Sequence, residues 1–155
     1  MNAKRLCQTA VLAAFIFVIT GFVRVPIPGG YVSFGNAAIL LIALLLPRVP
    51  AVLSACLGSA LADAMGFPLY ILPTILIKGA MVFVFRAAGG QGKKSALAAI
   101  LSTLIPIVGY TLTGFALYGV KAGLTQVPGL LIEYAVNLIV FLLLQKKIKG
   151  LRERI

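Results

Sequence analysis

The stretch that decides the fold runs from residue 24 to residue 46 and reads RVPIPGGYVSFGNAAILLIALLL. Its first part, Arg24 to Tyr31, holds two prolines and two glycines, which exclude a regular helix. Its second part, Phe34 to Leu46, has 13 residues and as a helix reaches only about 20 Å of the roughly 30 Å bilayer core. Two interpretations are open: the first part folds over a cavity, or it is a surface turn beside a tilted short helix.

The composition of the whole chain indicates an integral membrane protein. Of 155 residues, 61% are hydrophobic and 11% are charged, and the mean hydropathy is +1.10. An average soluble domain has about 25% charged residues. The composition therefore excludes a soluble enzyme, a disordered tail and a disulfide-stapled secreted module.

Apolar segments separated by Pro, Gly and charge predict six transmembrane helices in a single domain covering residues 1–155. The expected fold class is an all-α integral membrane protein. The first segment is expected to remain as a helix, because it has no cleavage site typical of a signal peptide. The predicted helices cover about residues 7–23, 34–46, 50–65, 69–86, 95–120 and 128–144.

The distribution of basic residues predicts that both termini are cytoplasmic. With that orientation, eleven Lys and Arg residues lie inside and only Arg24 and Lys121 lie outside. The net charge of +11 then has a topological cause and favours contact with anionic lipid headgroups rather than with nucleic acid. The eleven are Lys4, Arg5, Arg48, Arg86, Lys93, Lys94, Lys146, Lys147, Lys149, Arg152 and Arg154.

In this topology the polar side chains gather in the outward halves of the helices, whereas the inward halves are mostly aliphatic. Ionisable groups inside a membrane are costly and call for mutual pairing or a ligand. The outward halves are therefore predicted to hold either paired charges or a ligand-binding site. Its candidate residues are Tyr31, Asn36, Asp63, Tyr70, Lys78, Tyr110, Glu133, Tyr134 and Asn137.

Structural interpretations of the same residues stay open. Lys78 could pair with Asp63 or Glu133 and only pin helices together, and Asp63 could cap the turn that follows it. Tyr31 could belong to an interfacial aromatic belt. Glu133 and Asn137, four residues apart on one helical face, are expected to address one cavity. The sequence offers no set of metal ligands.

Small residues recur on the first predicted helix at Ala10 and Ala14. Such spacing lets another helix approach closely, either within the protein or in a partner. The position near the cytoplasmic side favours a partner.

Three blocks of sequence resemble the substrate-binding S component of energy-coupling factor (ECF) vitamin transporters, in the riboflavin-type group. The first block runs from Val25 to Asn36 (VPIPGGYVSFGN), the second from Gly58 to Asp63 (GSALAD), and the third from Leu72 to Gly79 (LPTILIKG). The resemblance covers all six predicted helices.

The resemblance implies a high-affinity capture subunit in a prokaryotic plasma membrane, with neither enzyme activity nor a cofactor of its own. Its implied partners are a transmembrane coupling subunit, which docks on Ala10 and Ala14, and two ABC-type ATPases. The polar groups favour a small heteroaromatic such as hydroxymethylpyrimidine or pyridoxine, with riboflavin as a further candidate. The loop from Arg24 to Gly35 is expected to close over the ligand, with Gly29 and Gly30 as the pivot.

Two other classes of function remain alternatives. A self-sufficient secondary transporter would be expected to show internal repeats, and no half-to-half similarity is visible. A structural membrane protein of the cell-shape machinery would not need a polar pocket on one side. An intramembrane enzyme is disfavoured, because no catalytic constellation can be assigned.

Overall fold

The computed structural model describes residues 3–27 and 30–152, and this part of the chain forms six α-helices and one β-hairpin. A 3₁₀ turn, Pro68–Tyr70, precedes the fourth helix. The strands are Arg24–Ile27 (β1) and Gly30–Ser33 (β2). The helices are Ala3–Gly21 (α1), Gly35–Leu45 (α2), Arg48–Gly66 (α3), Ile71–Ala87 (α4), Ser95–Tyr118 (α5) and Val120–Arg152 (α6).

Five of the described helices are long and apolar enough to cross a membrane, counting the 3₁₀ turn as part of α4. The exception is α2, whose 11 residues reach about 16 Å. The all-α membrane fold is therefore confirmed. The count of six crossings and the cytoplasmic side of the termini stay predictions.

The short helix α2 lies in the middle of the bundle. Nine of its 11 residues are buried, and Ile39 and Leu40 join a core with Met81, Phe85 and Phe141. The last two rings meet edge to face, with centroids 5.8 Å apart. Burial on all sides explains why a helix too short to span a bilayer is nonetheless strongly apolar.

Side chains from α4 and the loop after it satisfy the carbonyl groups at the end of α2. Arg86 Nη1 donates to Leu46 O at 2.8 Å and to Ala43 O at 3.3 Å. Gln91 Nε2 donates to Leu44 O at 3.2 Å and to Leu46 O at 3.1 Å. A helix that ends inside a membrane protein needs such partners, because lipid supplies none.

Close packing joins α1 to α3. A Cβ atom built on Gly58 would lie 2.5 Å from Ala13 O and 2.7 Å from Ile16 Cβ, so only glycine fits there. Ser54 Oγ, one turn away on the same helix, donates to Thr9 O at 3.1 Å. The small residues of α3 thus serve internal packing.

The segment before α2 is a hairpin rather than the irregular loop expected from its prolines. β1 and β2 are antiparallel, with Arg24 opposite Ser33 and Pro26 opposite Tyr31. A two-stranded ribbon accepts proline because both of its strands are edges. The expected pivot residue Gly29 lies outside the described residues, as does Arg154 of the basic set.

The last helix begins earlier than predicted. It starts at Val120, directly after Gly119, whose φ of +86° makes the turn from α5. Pro128, expected to open the helix, lies inside it. Proline is tolerated within packed membrane helices because neighbouring groups satisfy the freed backbone. The first helix also begins earlier, at Ala3, because its basic residues continue the helix beyond the apolar segment.

Candidate functional site

A cavity of about 520 Å³ opens at the end of the bundle that carries the hairpin, here called the hairpin end. Its volume lies within the roughly 300 to 1,000 Å³ typical of small-molecule sites. Side chains from α1, β2 and α3 to α6 line it, together with the 3₁₀ turn. Its lining residues include three buried charged side chains, five aromatic rings and several neutral polar groups.

Asp63 anchors one side of the cavity. Its Oδ1 accepts a hydrogen bond from Tyr31 Oη at 3.0 Å, and its Oδ2 accepts one from Thr74 Oγ1. Because the single Thr74 proton is used in this way, Tyr110 Oη at 3.0 Å donates to Thr74. Burial and the nearby Asp63 carboxylate raise the pKa of the Tyr31 phenol far above its ordinary value, so Tyr31 stays a donor.

Lys78 is the buried cation of the cavity and is 6% exposed. Its Nζ donates to Asn36 Oδ1 at 2.5 Å and lies 5.2 Å from the centre of the Tyr110 ring. Within the described chain, it forms no ion pair within 4.0 Å with Asp63 or Glu133. A structural ion pair, the alternative left open by the sequence, is therefore not what holds Lys78.

Glu133 forms the third charged group. Its Oε1 accepts a hydrogen bond from Ser33 Oγ at 3.1 Å, which ties α6 to the end of β2. One turn further along α6, Asn137 Nδ2 donates to Ser33 O at 2.7 Å and to Glu133 O at 2.8 Å, while its Oδ1 accepts from Ala37 N at 2.8 Å. Asn137 thus fixes the strand-to-helix junction beside Glu133.

Aromatic rings form a connected series along the cavity. Tyr31 lies 5.6 Å from Phe67, and Phe67 lies 6.3 Å from Tyr70, between ring centroids. Tyr70 is stacked on Tyr118 at 6.3 Å and lies 6.1 Å from Tyr110. Flat rings arranged in this way suit a planar aromatic ligand.

Comparison with known proteins identifies the family of the chain and supports its fold. A model of the ECF-type riboflavin transporter S component family matches residues 1–150. The chain belongs to this family. A solved structure described as the S component of a bacterial ECF transporter matches 97% of this chain and 98% of its own, with a TM-score of 0.77 and 23% identity. An uncharacterized protein of Pyrococcus woesei is 34% identical over 109 residues, covering 67% of this chain and 74% of that protein.

Membership of the family confirms the resemblance of the chain to the S component of ECF vitamin transporters. As a member of this family, the protein is a substrate-binding subunit of an ECF transporter in a membrane, rather than an enzyme. The solved structure, at its low sequence identity, supports the fold.

The structure brings six of the nine predicted site residues to the cavity wall of the S component. The other three are Asn36, Tyr134 and Asn137, which do not line it. Asn36 accepts a hydrogen bond from Lys78, and Asn137 accepts one from the backbone N–H of Ala37. The expectation that Glu133 and Asn137 address one cavity is corrected, because the Asn137 amide points to β2 and α2. The six lining residues are Tyr31, Asp63, Tyr70, Lys78, Tyr110 and Glu133.

The first turns of α6 supply lining residues that the sequence analysis missed. Ala122, Thr125 and Gln126 line the cavity, and Gln126 Nε2 donates to Tyr70 Oη at 3.1 Å. They were missed because the helix was expected to begin at Pro128. Residues 122, 125, 126, 129, 130 and 133 all line the cavity. Their spacing is that of one face of a helix, and this spacing is the feature of the sequence that could have identified them.

On the outside of the bundle, Ala10 and Ala14 are both exposed on α1. Their neighbours Val11 and Phe15 are 67% and 50% exposed. This face of α1 is therefore not used in packing within the described chain, in contrast to the face that meets Gly58.

Proposed function

We propose that this S component captures riboflavin, or a ligand of the same build, in the cavity at the hairpin end. The observation that carries the proposal is a single cavity lined by three buried charges, Asp63, Lys78 and Glu133, whose hydrogen bonds go to neutral protein groups. Buried charges are costly unless they are paired, so the cavity favours a ligand with several polar atoms.

Riboflavin suits the rest of the wall. It combines a flat three-ring system with polar ring edges and a hydroxylated chain, and the aromatic series offers faces for the rings. A single-ring pyrimidine or pyridine, favoured from the sequence, would leave much of a 520 Å³ cavity unfilled. The family description supports the same choice.

We further propose that the hairpin end faces outward and that transport needs a coupling subunit and two ABC-type ATPases. The sequence has no Gly-rich phosphate loop of the kind that binds ATP. The exposed Ala10 and Ala14 would receive the coupling subunit, because small side chains let a partner helix approach closely.

Titration of the purified protein tests the ligand. Riboflavin should bind and its flavin fluorescence should be quenched by the surrounding tyrosines, while hydroxymethylpyrimidine and pyridoxine should not compete. Mass spectrometry of material released by denaturation gives an independent readout. Absence of riboflavin binding, together with tight binding of either single-ring compound, would overturn the riboflavin assignment.

A further inference from the structure

Glu133 has one carboxylate oxygen that the described chain leaves without a partner. Its Oε1 accepts the hydrogen bond from Ser33 Oγ, whereas its Oε2 accepts none from any described residue. Both oxygens of Asp63, by contrast, already accept hydrogen bonds, from Tyr31 and from Thr74. An ionised carboxylate oxygen only accepts, so the open oxygen of Glu133 calls for a hydrogen-bond donor.

This oxygen can be reached from the cavity. Among the buried and half-buried residues of the described chain, the side-chain polar atoms that lack both a partner and accessible surface belong to Thr20, Ser59 and Thr111. Glu133 Oε2 is not one of them, so it keeps accessible surface although the residue as a whole is only 7% exposed. Because Glu133 lines the cavity, that surface is open to a bound ligand.

A donor lies on the same part of the cavity wall. Glu133 is tied to Ser33, and Lys78 is tied to Asn36, which follows Ser33 by three residues. Three residues of chain span at most about 11 Å, so the carboxylate and the ammonium group are held at neighbouring positions. Within the described chain they nevertheless form no ion pair within 4.0 Å. The wall therefore presents an acceptor and a donor side by side.

The polar edge of a flavin ring has the complementary pattern. The oxidised ring system of riboflavin has a single N–H group, N3–H, with a carbonyl oxygen on either side of it. We infer that Glu133 Oε2 accepts a hydrogen bond from N3–H, beside a carbonyl oxygen that faces Lys78. A site built around such a hydrogen bond rejects an analogue that lacks the N–H group. The inference rests on the proposed function and adds to it the residue that selects the polar edge of the ring.

Two flavins and one isosteric substitution test this contact. The analogue 3-methylriboflavin has a methyl group in place of the N3 hydrogen and keeps the ring system and the hydroxylated chain. Glu133→Gln keeps an oxygen for Ser33 and puts an NH₂ group, which cannot accept a hydrogen bond, in place of the other oxygen. We expect it to weaken riboflavin binding by about 10- to 150-fold and to change 3-methylriboflavin binding by less than about 3-fold, as measured by isothermal titration.

Asp63→Asn is the matched control. It also removes a carboxylate charge from the cavity wall, but both oxygens of Asp63 are occupied by Tyr31 and Thr74. Any loss of affinity should therefore be the same for the two flavins. A selective loss of riboflavin binding in this variant, equal to that in Glu133→Gln, would overturn the assignment of N3–H to Glu133.

The outcomes distinguish the contact from the proposed function. If the wild type binds neither flavin, the proposed function fails and the contact fails with it. If the wild type binds riboflavin but Glu133→Gln weakens both flavins alike, or neither, the contact alone is overturned.

A measurement on the wild type decides the matter if Glu133→Gln does not fold. Riboflavin labelled with ¹⁵N at N3 should give a bound N3–H signal in the proton–nitrogen NMR spectrum that is shifted downfield and exchanges slowly with water, because a carboxylate acceptor holds the proton in a buried site. A bound N3–H group that exchanges as fast as in free riboflavin would overturn the contact.

Discussion

Lys78 shows how a single residue carries the candidate site. Its ammonium group is buried, yet its one hydrogen bond to a described residue goes to the neutral amide of Asn36. Asp63 and Glu133 are likewise held by hydroxyl groups rather than by cations. Each charge is therefore kept in place and oriented by the protein, while its capacity for a charged or strongly polar partner remains open to a ligand.

Removing the Lys78 charge is expected to weaken ligand binding more than folding. Lys78→Met should lower riboflavin affinity by about 10- to 150-fold, the usual range for a lost hydrogen bond to a charged group. Lys146→Met is the control, because Lys146 is exposed near the far end of α6. Isothermal titration measures both variants. Unchanged affinity in a folded Lys78→Met protein would restore a purely structural role.

Asn137 is expected to act on the site through the backbone. Asn137→Ala would remove the side-chain partner of the buried Ala37 N–H and of the Ser33 carbonyl, which should lower the free energy of unfolding by about 1 to 3 kcal/mol. Because Ser33 also holds Glu133, riboflavin affinity should fall as well.

The matched control for Asn137 is Gln145→Ala at the opposite end of α6. Its amide oxygen accepts a hydrogen bond from Ser95 at 2.8 Å, and its side chain is 6% exposed. This variant should lose stability but keep its affinity. If thermal unfolding and titration show the two variants to behave alike, Asn137 has no special relation to the site.

At the scale of elements, the apolar segments between Pro, Gly and charged residues predicted which parts of the chain form helices. They did not predict where helices begin, because Lys4, Arg5 and Pro128 stand at helical positions that membrane packing tolerates. The hairpin was not predicted, because proline is unfavourable in most strands and was taken to indicate an irregular loop. The pairing of Arg24 with Ser33 is seen only in the structure. The buried charged residues Asp63, Lys78 and Glu133 were predicted to belong to the site from their depth in the membrane alone. Asn137 was misplaced because a shared helical face does not reveal which of two neighbours turns to a cavity and which to backbone.

The short helix α2 depends on the side chains that cap its end. Arg86→Met combined with Gln91→Leu should leave the carbonyls of Ala43 and Leu46 without their side-chain donors and lower the free energy of unfolding by about 1 to 3 kcal/mol. Thermal unfolding in detergent measures the loss. Lys93→Met in the same loop, an exposed position, should unfold like wild type, and an equal effect of both changes would contradict the capping role.

At the scale of the whole molecule, the cavity, the stabilising contacts around α2 and the exposed α1 face lie in three separate places. The cavity and its charges lie at the hairpin end, whereas the cap of α2 and the Ser95 to Gln145 bond stabilise the opposite end. The α1 face with Ala10 and Ala14 takes part in neither. This separation predicts that capture and energised transport can be lost independently.

Tryptophan at Ala10 and Ala14 tests that separation. The double replacement should block a partner helix by bulk while leaving the cavity intact, because both side chains point away from the bundle. In proteoliposomes containing the coupling subunit and ATPases, the variant should bind riboflavin like wild type but lose ATP-dependent uptake and co-purification with the coupling subunit. Val11→Ala, on the same exposed helix surface without added bulk, should retain both. Full uptake by the double variant would place the docking face elsewhere, and concentrative uptake by the wild-type chain alone would show that it energises transport without partners.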